Sequence, residues 1–395
     1  MDVREPATAA RRRHVVAALV ASTAALLCLA TQWHLDHNRR VDFRIYYRAV
    51  ESMSDGHLYD YGSKALNFLY PPVAAVLMAP LTWLSEDTAS RVWLVATVLL
   101  GLGGYITILS ESMGSRVPRS AAPAIAGLLL WSAPALLSFR QGQVNPVIGS
   151  LACVDAVLIA RRHRAGGVAL GLAAAIKVTP LLLIPVLAVC GRRAEARRAL
   201  LTFVVLSYVV ALSWPSETWR YWTDVVFEAS DVGGIGSPLN ASLLSLTGLI
   251  TENSTVQRAL WAVGAAALAA VALTRCRRLH DAGDVIGVVV IATIATYLVS
   301  PVTWVHHQWL LPVAAVLWID RSSGRSSIAV SVLGVLVTFD PLALGETSMS
   351  RTALMVAFGF LTVTSLPAAS RSSTRTDKGT WTNTRSASPT ALVSS

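Results

Sequence analysis

Charge is scarce in this chain. Only 14% of its 395 residues are charged, against 54% hydrophobic, and the mean hydropathy is +0.54. That balance speaks against a soluble enzyme carrying one anchor. Apolar runs of roughly 15 to 24 residues recur along the chain, and a bilayer crossing takes about 20, so the sequence reads as an all-α polytopic membrane protein. Lysine is almost missing, at Lys64, Lys177 and Lys378. All but three of the 33 basic residues are therefore arginine, which with abundant alanine and valine points to a G+C-rich bacterial genome. The basic residues fall in short clusters between apolar runs rather than along one face, so the net charge of +10 reads as a topology signal and not as a nucleic-acid surface. Cys28, Cys153, Cys190 and Cys276 form no CxxC pair and lie in or beside apolar runs, which argues against a disulfide framework or a structural zinc site. No GxxxxGK[ST] pattern is present, so nucleotide binding has no P-loop to rest on. The outer loops assigned below carry no DxD motif, and no internal repeat runs through the chain.

Short cytoplasmic loops carry an excess of arginine, and this bias orients the spans. Arg11-Arg12-Arg13 puts the N-terminus, 1–14, inside; Val15 to Trp33 is expected as a retained first span, because no clean small-x-small cleavage site follows it. That span delivers a polar outer loop, 34–88, holding Asp36, Asp42, Glu51, Asp55 and Asp60. Within it, Phe43 to Met53 is predicted as an interfacial amphipathic helix. Tyr70-Pro71-Pro72 and the apolar stretch to Leu84 are predicted to lie on or dip into the outer leaflet, since a crossing there would put Arg161-Arg162-His163-Arg164 outside. Further spans are expected near 89–110, 121–138, 145–160, 199–214, 257–274, 285–299, 309–319, 327–343 and 351–367. Basic clusters flank 166–190 on both sides, which requires a hairpin of two short helices broken at Lys177-Val178-Thr179-Pro180. The expectation is about twelve spans in one transmembrane domain over 15–367, with outer loops 34–88 and 215–256 and a disordered cytoplasmic tail, 368–395.

This topology gathers Asp42, Arg44, Lys64, Arg140, Gln143, Asn145, Lys177, Asn240, His306 and His307 at the outer mouth. Ionisable groups at membrane depth are costly and default to functional candidates. Asp42 suits a general base that takes a proton from a sugar hydroxyl; the plainer reading is a loop carboxylate paired with Arg39, Arg40 or Arg44. Lys177 sits in an otherwise apolar hairpin and needs a partner, either an anionic phosphate or the lipid headgroups. His306-His307, between Trp304 and Trp309, suits a phosphate or hydroxyl contact, or a structural role at a helix start; two adjacent histidines are a poor zinc site without further ligands. Gly233 to Asn240 reads as a mobile outer loop, a gate.

Five motifs in order carry a resemblance: Asp42-Phe43 with Tyr46-Tyr47; Phe68-Leu69-Tyr70-Pro71-Pro72; Gly142-Gln143-Val144-Asn145; Gly171 through Lys177-Val178-Thr179-Pro180; and Ser300-Pro301-Val302-Thr303-Trp304-Val305-His306-His307. Together they resemble glycosyltransferase family 87, GT-C-type membrane enzymes typified by actinobacterial polyprenol-phosphate-mannose-dependent α-(1→2)-mannosyltransferases of phosphatidylinositol mannoside and lipomannan synthesis. The resemblance implies transfer of a sugar from a lipid phosphate to a glycolipid or lipoglycan hydroxyl at the extracytoplasmic face of the plasma membrane, with no cofactor and no metal. It implies Asp42 as general base and one histidine of the pair, here His306, near the donor phosphate. Lys177, with His307 and Arg44, is assigned to the phosphate on electrostatic grounds, and Tyr46, Tyr70, Gln143, Asn145, Asn240 and Trp304 to the pocket lining. Two competing readings are a polyprenyl-phosphoarabinose donor and a transporter or flippase of lipid-linked sugar. Paired broken helices, usual in transporters, occur here only once, at Lys177.

Overall fold

The computed structural model describes residues 7–34, 40–60, 67–228, 240–322, 324–339 and 349–369. Among these the only extended pairing is an isolated antiparallel bridge between Asn240 and Trp304; everything else is helix or connection. In chain order the helices are α1 (Ala7–His34), α2 (Val41–Glu51), α3 (Pro72–Met78), α4 (Glu86–Ser112), α5 (Ala122–Leu129), α6 (Ala133–Gln141), α7 (Asn145–Ala160), α8 (Val168–Ile176) and α9 (Leu183–Val189). They continue as α10 (Arg193–Ser213), α11 (Pro215–Arg220), α12 (Val226–Glu228), α13 (Leu243–Thr247), α14 (Ser254–Asp281), α15 (Val285–Val299), α16 (Leu311–Arg321), α17 (Arg325–Thr338) and α18 (Met349–Ser365). The fold is therefore all-α and polytopic.

Local chemistry sets many of these boundaries. Proline opens the first turn of α3, α5, α6, α7, α11 and α16, where its missing N–H costs nothing. Side chains of Ser85, Asn253 and Asp284 accept from the first free N–H groups of α4, α14 and α15. Among the described residues four helices, α1, α4, α10 and α14, are long and apolar enough to cross a membrane singly. The stretch expected as one span over 121–138 falls within a pair, Arg119–Leu129 and Ala133–Gln141, bent by 49°. The cause is Pro134 at the start of α6, which cannot donate back into the preceding turn.

Burial separates centre from rim. Nearly every residue of α15 and most of α16 is buried, whereas α1, α10 and α14 leave apolar side chains such as Leu26, Val205, Leu212 and Val263 exposed, as lipid-facing helices do. Small residues let helices close on one another: a Cβ on Gly104 of α4 would lie 2.8 Å from Ser150 of α7.

Contacts sort the connections onto two ends. At one end Arg161 pairs with Glu111, Arg198 with Glu195 and the Gly166 carbonyl, and Arg321 with Asp284, while Asp320 accepts the N–H groups of residues 114–117. These are the connections that the arginine pattern grouped together. The segment 70–84 starts and finishes at the other end, because α2 holds both sides of it: Tyr46 bonds Tyr70 (2.9 Å), and Tyr47 donates to the Leu84 carbonyl (2.8 Å). The segment 166–190 runs through α8, a 3-10 turn at Thr179–Leu182 and α9, and both its ends lie at the start of α10: a Cβ on Gly167 would press on the Glu195 backbone, and Arg192 pairs with Glu195.

Candidate active site

Four chain segments meet at the end opposite the arginine-rich connections: the start of α2, the 142–145 turn between α6 and α7, the break between α8 and α9, and the 301–308 connection leading into α16. Helix α2 presents two faces. Residues 42 and 46, one turn apart, look toward the 142–145 turn; residues 44 and 48 look the other way, toward α4.

Gly142 makes the turn possible. It closes α6 in the left-handed region at φ +73°, and a Cβ there would lie 2.5 Å from the Phe43 Cβ. The Trp93 indole N–H donates to its carbonyl at 2.9 Å. The turn therefore lies directly on α2, with Gln143 facing Asp42.

Gln143 is buried and uses both ends of its amide. Its Nε2 donates to Asp42 Oδ2 at 2.6 Å, and its Oε1 accepts from the Tyr46 hydroxyl at 2.9 Å and the Tyr70 hydroxyl at 3.2 Å. Two residues on, Asn145 Oδ1 accepts from Lys177 Nζ at 3.1 Å, and that ammonium lies 5.4 Å from the centroid of the Tyr70 ring. Asn145 Nδ2 is buried with no hydrogen-bond partner among the described residues.

His306 and His307 stand on a 3-10 turn, with His306 buried. Their rings meet edge to face at 4.6 Å, and Trp304 stacks parallel to His306 at 6.3 Å. The turn is anchored to α6 by Ser138, whose hydroxyl donates to the His306 carbonyl at 3.2 Å. His307 Nδ1 accepts the Trp304 N–H at 3.3 Å, which leaves the ring proton of a neutral His307 on Nε2.

Lys177 is the common electrostatic neighbour of this set. Burial raises the Asp42 carboxyl to about 6, against the Gln143 hydrogen bond and the Lys177 charge, which both lower it. Burial, and after it the Lys177 charge, pushes His306 down to about 3 and His307 well below its ordinary range, so both imidazoles are neutral at pH 7. The arrangement joins a carboxylate poised near neutrality to a cation and two neutral imidazoles. It can take a proton from a hydroxyl on one side and hold an anion on the other.

Of the residues singled out in the sequence, Asp42, Tyr46, Tyr70, Gln143, Asn145, Lys177, His306 and His307 come together, with Trp304 stacked on the histidine. Arg44 does not join them. Its Nε pairs with Glu86 at 2.9 Å beside Arg48 at 3.0 Å, because two residues along a helix turn the side chain by about 200° from Asp42. Nor does Asp42 pair with Arg40, which donates to the Gln32 carbonyl. Asn240 is fully buried and spends its amide on the 301–303 backbone, donating to the Pro301 carbonyl (3.1 Å) and accepting from the Thr303 N–H (2.9 Å). It thus clamps the segment that carries the histidines. Lys64, Arg39 and all but Asn240 of the gate expected over Gly233 to Asn240 lie outside the described residues. Glu86 was passed over in the sequence, although two arginines at an i, i+4 spacing ask for one shared carboxylate. Among the described residues no three His, Cys, Asp or Glu side chains gather as metal ligands.

The chain is similar to a polyprenol-phosphate-mannose-dependent alpha-(1-2)-phosphatidylinositol mannoside mannosyltransferase of Mycobacterium tuberculosis, 28% identical over 331 residues and 77% of each chain. It is similar also to a polyprenol-phosphate-mannose-dependent alpha-(1-2)-phosphatidylinositol pentamannoside mannosyltransferase of Mycolicibacterium smegmatis, 29% identical over 319 residues and 75% of each chain. No solved structure matches. Residues 68–301, which hold the Tyr70, Gln143, Asn145 and Lys177 positions, match the family model for glycosyltransferase family 87, and the chain belongs to that family.

Proposed function

We propose that this protein transfers mannose from polyprenyl-phosphate-mannose to a hydroxyl of a mannoside lipid or lipoglycan, with inversion at the anomeric carbon, at the extracytoplasmic face of the plasma membrane. The observation that carries the reading is the Asp42 carboxylate, raised to about 6 and held at Oδ2 by Gln143, in the field of the Lys177 ammonium. Membership of a glycosyltransferase family, and relatives named for this donor and for phosphatidylinositol mannosides, supply the chemical class.

The step needs one base. The acceptor hydroxyl attacks the anomeric carbon from the face opposite the lipid phosphate. Its proton passes to Asp42 as the new C–O bond forms, and the electron pair of the breaking C–O bond leaves on the phosphate oxygen. A β-linked donor attacked once from the far side gives an α product, so no nucleophile from the protein is required. Lys177 balances charge growing on the departing phosphate, and neutral His306 and His307 offer ring N–H donors to it. The arginine-rich connections at the opposite end support the outward orientation, since such clusters stay in the cytoplasm. The direct test is to incubate purified protein in detergent with polyprenyl-phosphate-mannose and a phosphatidylinositol mannoside, beside a polyprenyl-phosphoarabinose control. A mannosylated lipid with an α linkage is expected. Transfer from the arabinose donor alone would refute the donor assignment.

A further inference from the structure

We infer that Gln143 is the positioning residue of the base, locked by two tyrosines so that Asp42 Oδ2 is occupied and Oδ1 is the oxygen that takes the acceptor proton. The inference rests on the mannosyl-transfer reading above and assigns it an atom.

A glutamine amide has a donor end and an acceptor end, and alone it can present either to a neighbour. Here the choice is made from both sides: an ionised Asp42 can only accept, and the Tyr46 and Tyr70 hydroxyls donate to the other end. Both hydroxyls lie within hydrogen-bond distance of Gln143 Oε1, and they lie 2.9 Å from each other. With the carbonyl end taken, only the NH2 end can face Asp42, at 2.6 Å from Oδ2. A flipped amide would set a carbonyl against a carboxylate. An N–H donor also favours the ionised form of Asp42 over the protonated form. During transfer the acceptor O–H bond breaks, its proton goes to Oδ1, and the Gln143 hydrogen bond to Oδ2 persists through the step.

Tyr70 gives the arrangement a second link. Its hydroxyl serves Gln143 while its ring face receives Lys177 Nζ at 5.4 Å. One side chain thus supports both the amide behind the base and the cation assigned to the phosphate. Gln143 and Asn145, two residues apart on the same turn, repeat the pairing through their side-chain amides: the first holds Asp42 and the second holds Lys177.

Other ionisable groups around Asp42 leave Gln143 a distinct part. Lys177 comes from the α8–α9 break, Tyr46 from the same helix as Asp42, and Tyr70 from the residues leading into α3. Burial and Lys177 hold His306 and His307 neutral. Arg40 turns to the Gln32 carbonyl and Arg44 to Glu86.

The test compares wild type, Gln143→Leu, the double variant Tyr46→Phe/Tyr70→Phe, and Tyr70→Leu, with synthetic polyprenyl-phosphate-mannose and an alkyl mannoside acceptor in detergent. Gln143→Leu is expected to lower kcat about 10- to 100-fold, the scale of a slightly misplaced catalytic group, with donor KM changed less than about twofold. Its acidic pH limb should move to higher pH, because the hydrogen bond that favours ionised Asp42 is gone. The double Phe variant keeps both rings and should reproduce the kcat loss at unchanged donor KM, even if Gln143→Leu fails to fold. Tyr70→Leu, which also removes the ring under Lys177, should raise donor KM in addition. Wild-type kcat in both Gln143→Leu and the double Phe variant, or an unmoved acidic limb, overturns the positioning role while leaving mannosyl transfer intact. A wild-type protein that forms no mannosylated product overturns the functional reading and this inference with it.

Discussion

Asp42 must be ionised to accept a proton, and with its carboxyl raised to about 6 the transfer rate should climb as pH rises through that value and level off above it. Initial rates measured across the range check this; a flat profile through 6 would remove Asp42 as the base. Asp42→Asn should cost about 10²- to 10⁴-fold in kcat, the usual worth of a general base. The same shift carries a stability sign. The folded value lies above the ordinary carboxylate value of 3.8, so the contribution of Asp42 is fully present below 3.8 and is lost as pH rises through about 6. Asp42→Asn should therefore melt higher than wild type above pH 6 and lose that advantage in acid, as read by thermal unfolding in detergent. Lys177→Met should raise donor KM about 10- to 100-fold, the scale of a lost hydrogen bond to a charged group. Arg44→Ala should leave donor KM unchanged, because its charge is already paired with Glu86 at a partly exposed site. Lys177 was legible in the sequence as an isolated charge in an apolar hairpin, whereas Asp42, one of several carboxylates in its loop, stood out only through topology and the motif it opens. The bond from Gln143 to Asp42 was not: it joins positions 101 residues apart, and a neutral amide sends no such signal. Arg44 was legible in principle, since helical phase alone turns it away from residue 42.

At the scale of elements, the 142–145 turn is the piece on which the site depends. Gly142→Ala would force a Cβ into the left-handed region, costing about 1 to 2 kcal/mol, and would press it on Phe43. Because the strain falls between α2 and the turn, activity is expected to drop more than melting temperature. Equal loss of both would mean that the turn only supports the fold. The hairpin over 166–190 and the returning segment at 70–84 were readable because arginine clusters constrain parity, and proline marks the breaks at Pro180 and Pro72. The 49° bend within 119–141 was not readable, although Pro134 caused it, because apolar composition hides where a span changes direction. Asn240 illustrates the opposite limit. As a polar residue near an outer loop it suggested a pocket, yet its partners are backbone groups more than 60 residues away.

Over the whole molecule, orientation is the open variable and the cysteines make it measurable. Cys28, Cys153, Cys190 and Cys276 are all buried, so a single introduced thiol should report without much background. Asp55 and Arg164 are both exposed, Asp55 just beyond α2 and Arg164 among the arginine-rich connections. In intact cells Asp55→Cys should react with an impermeant maleimide, and Arg164→Cys only after the membrane is opened. The reverse pattern would turn the protein over and with it the proposed outer site.

One contact also bears on how the protein is made. Asp320 gathers the N–H groups of residues 114–117, and the hydroxyl of Tyr105 donates to the carbonyl of Trp309, more than 200 residues further along. Helix α4 leaves the ribosome early and must wait for Trp309 and α16 before its stacking partner and the acceptor for the 114–117 turn exist. Asp42, the base of the proposed reaction, is thus synthesised long before the histidines arrive. On the proposed reading the nascent chain should not act on donor until the 301–308 connection has been added. A chain truncated after Val299, expressed in membranes, should accordingly transfer nothing.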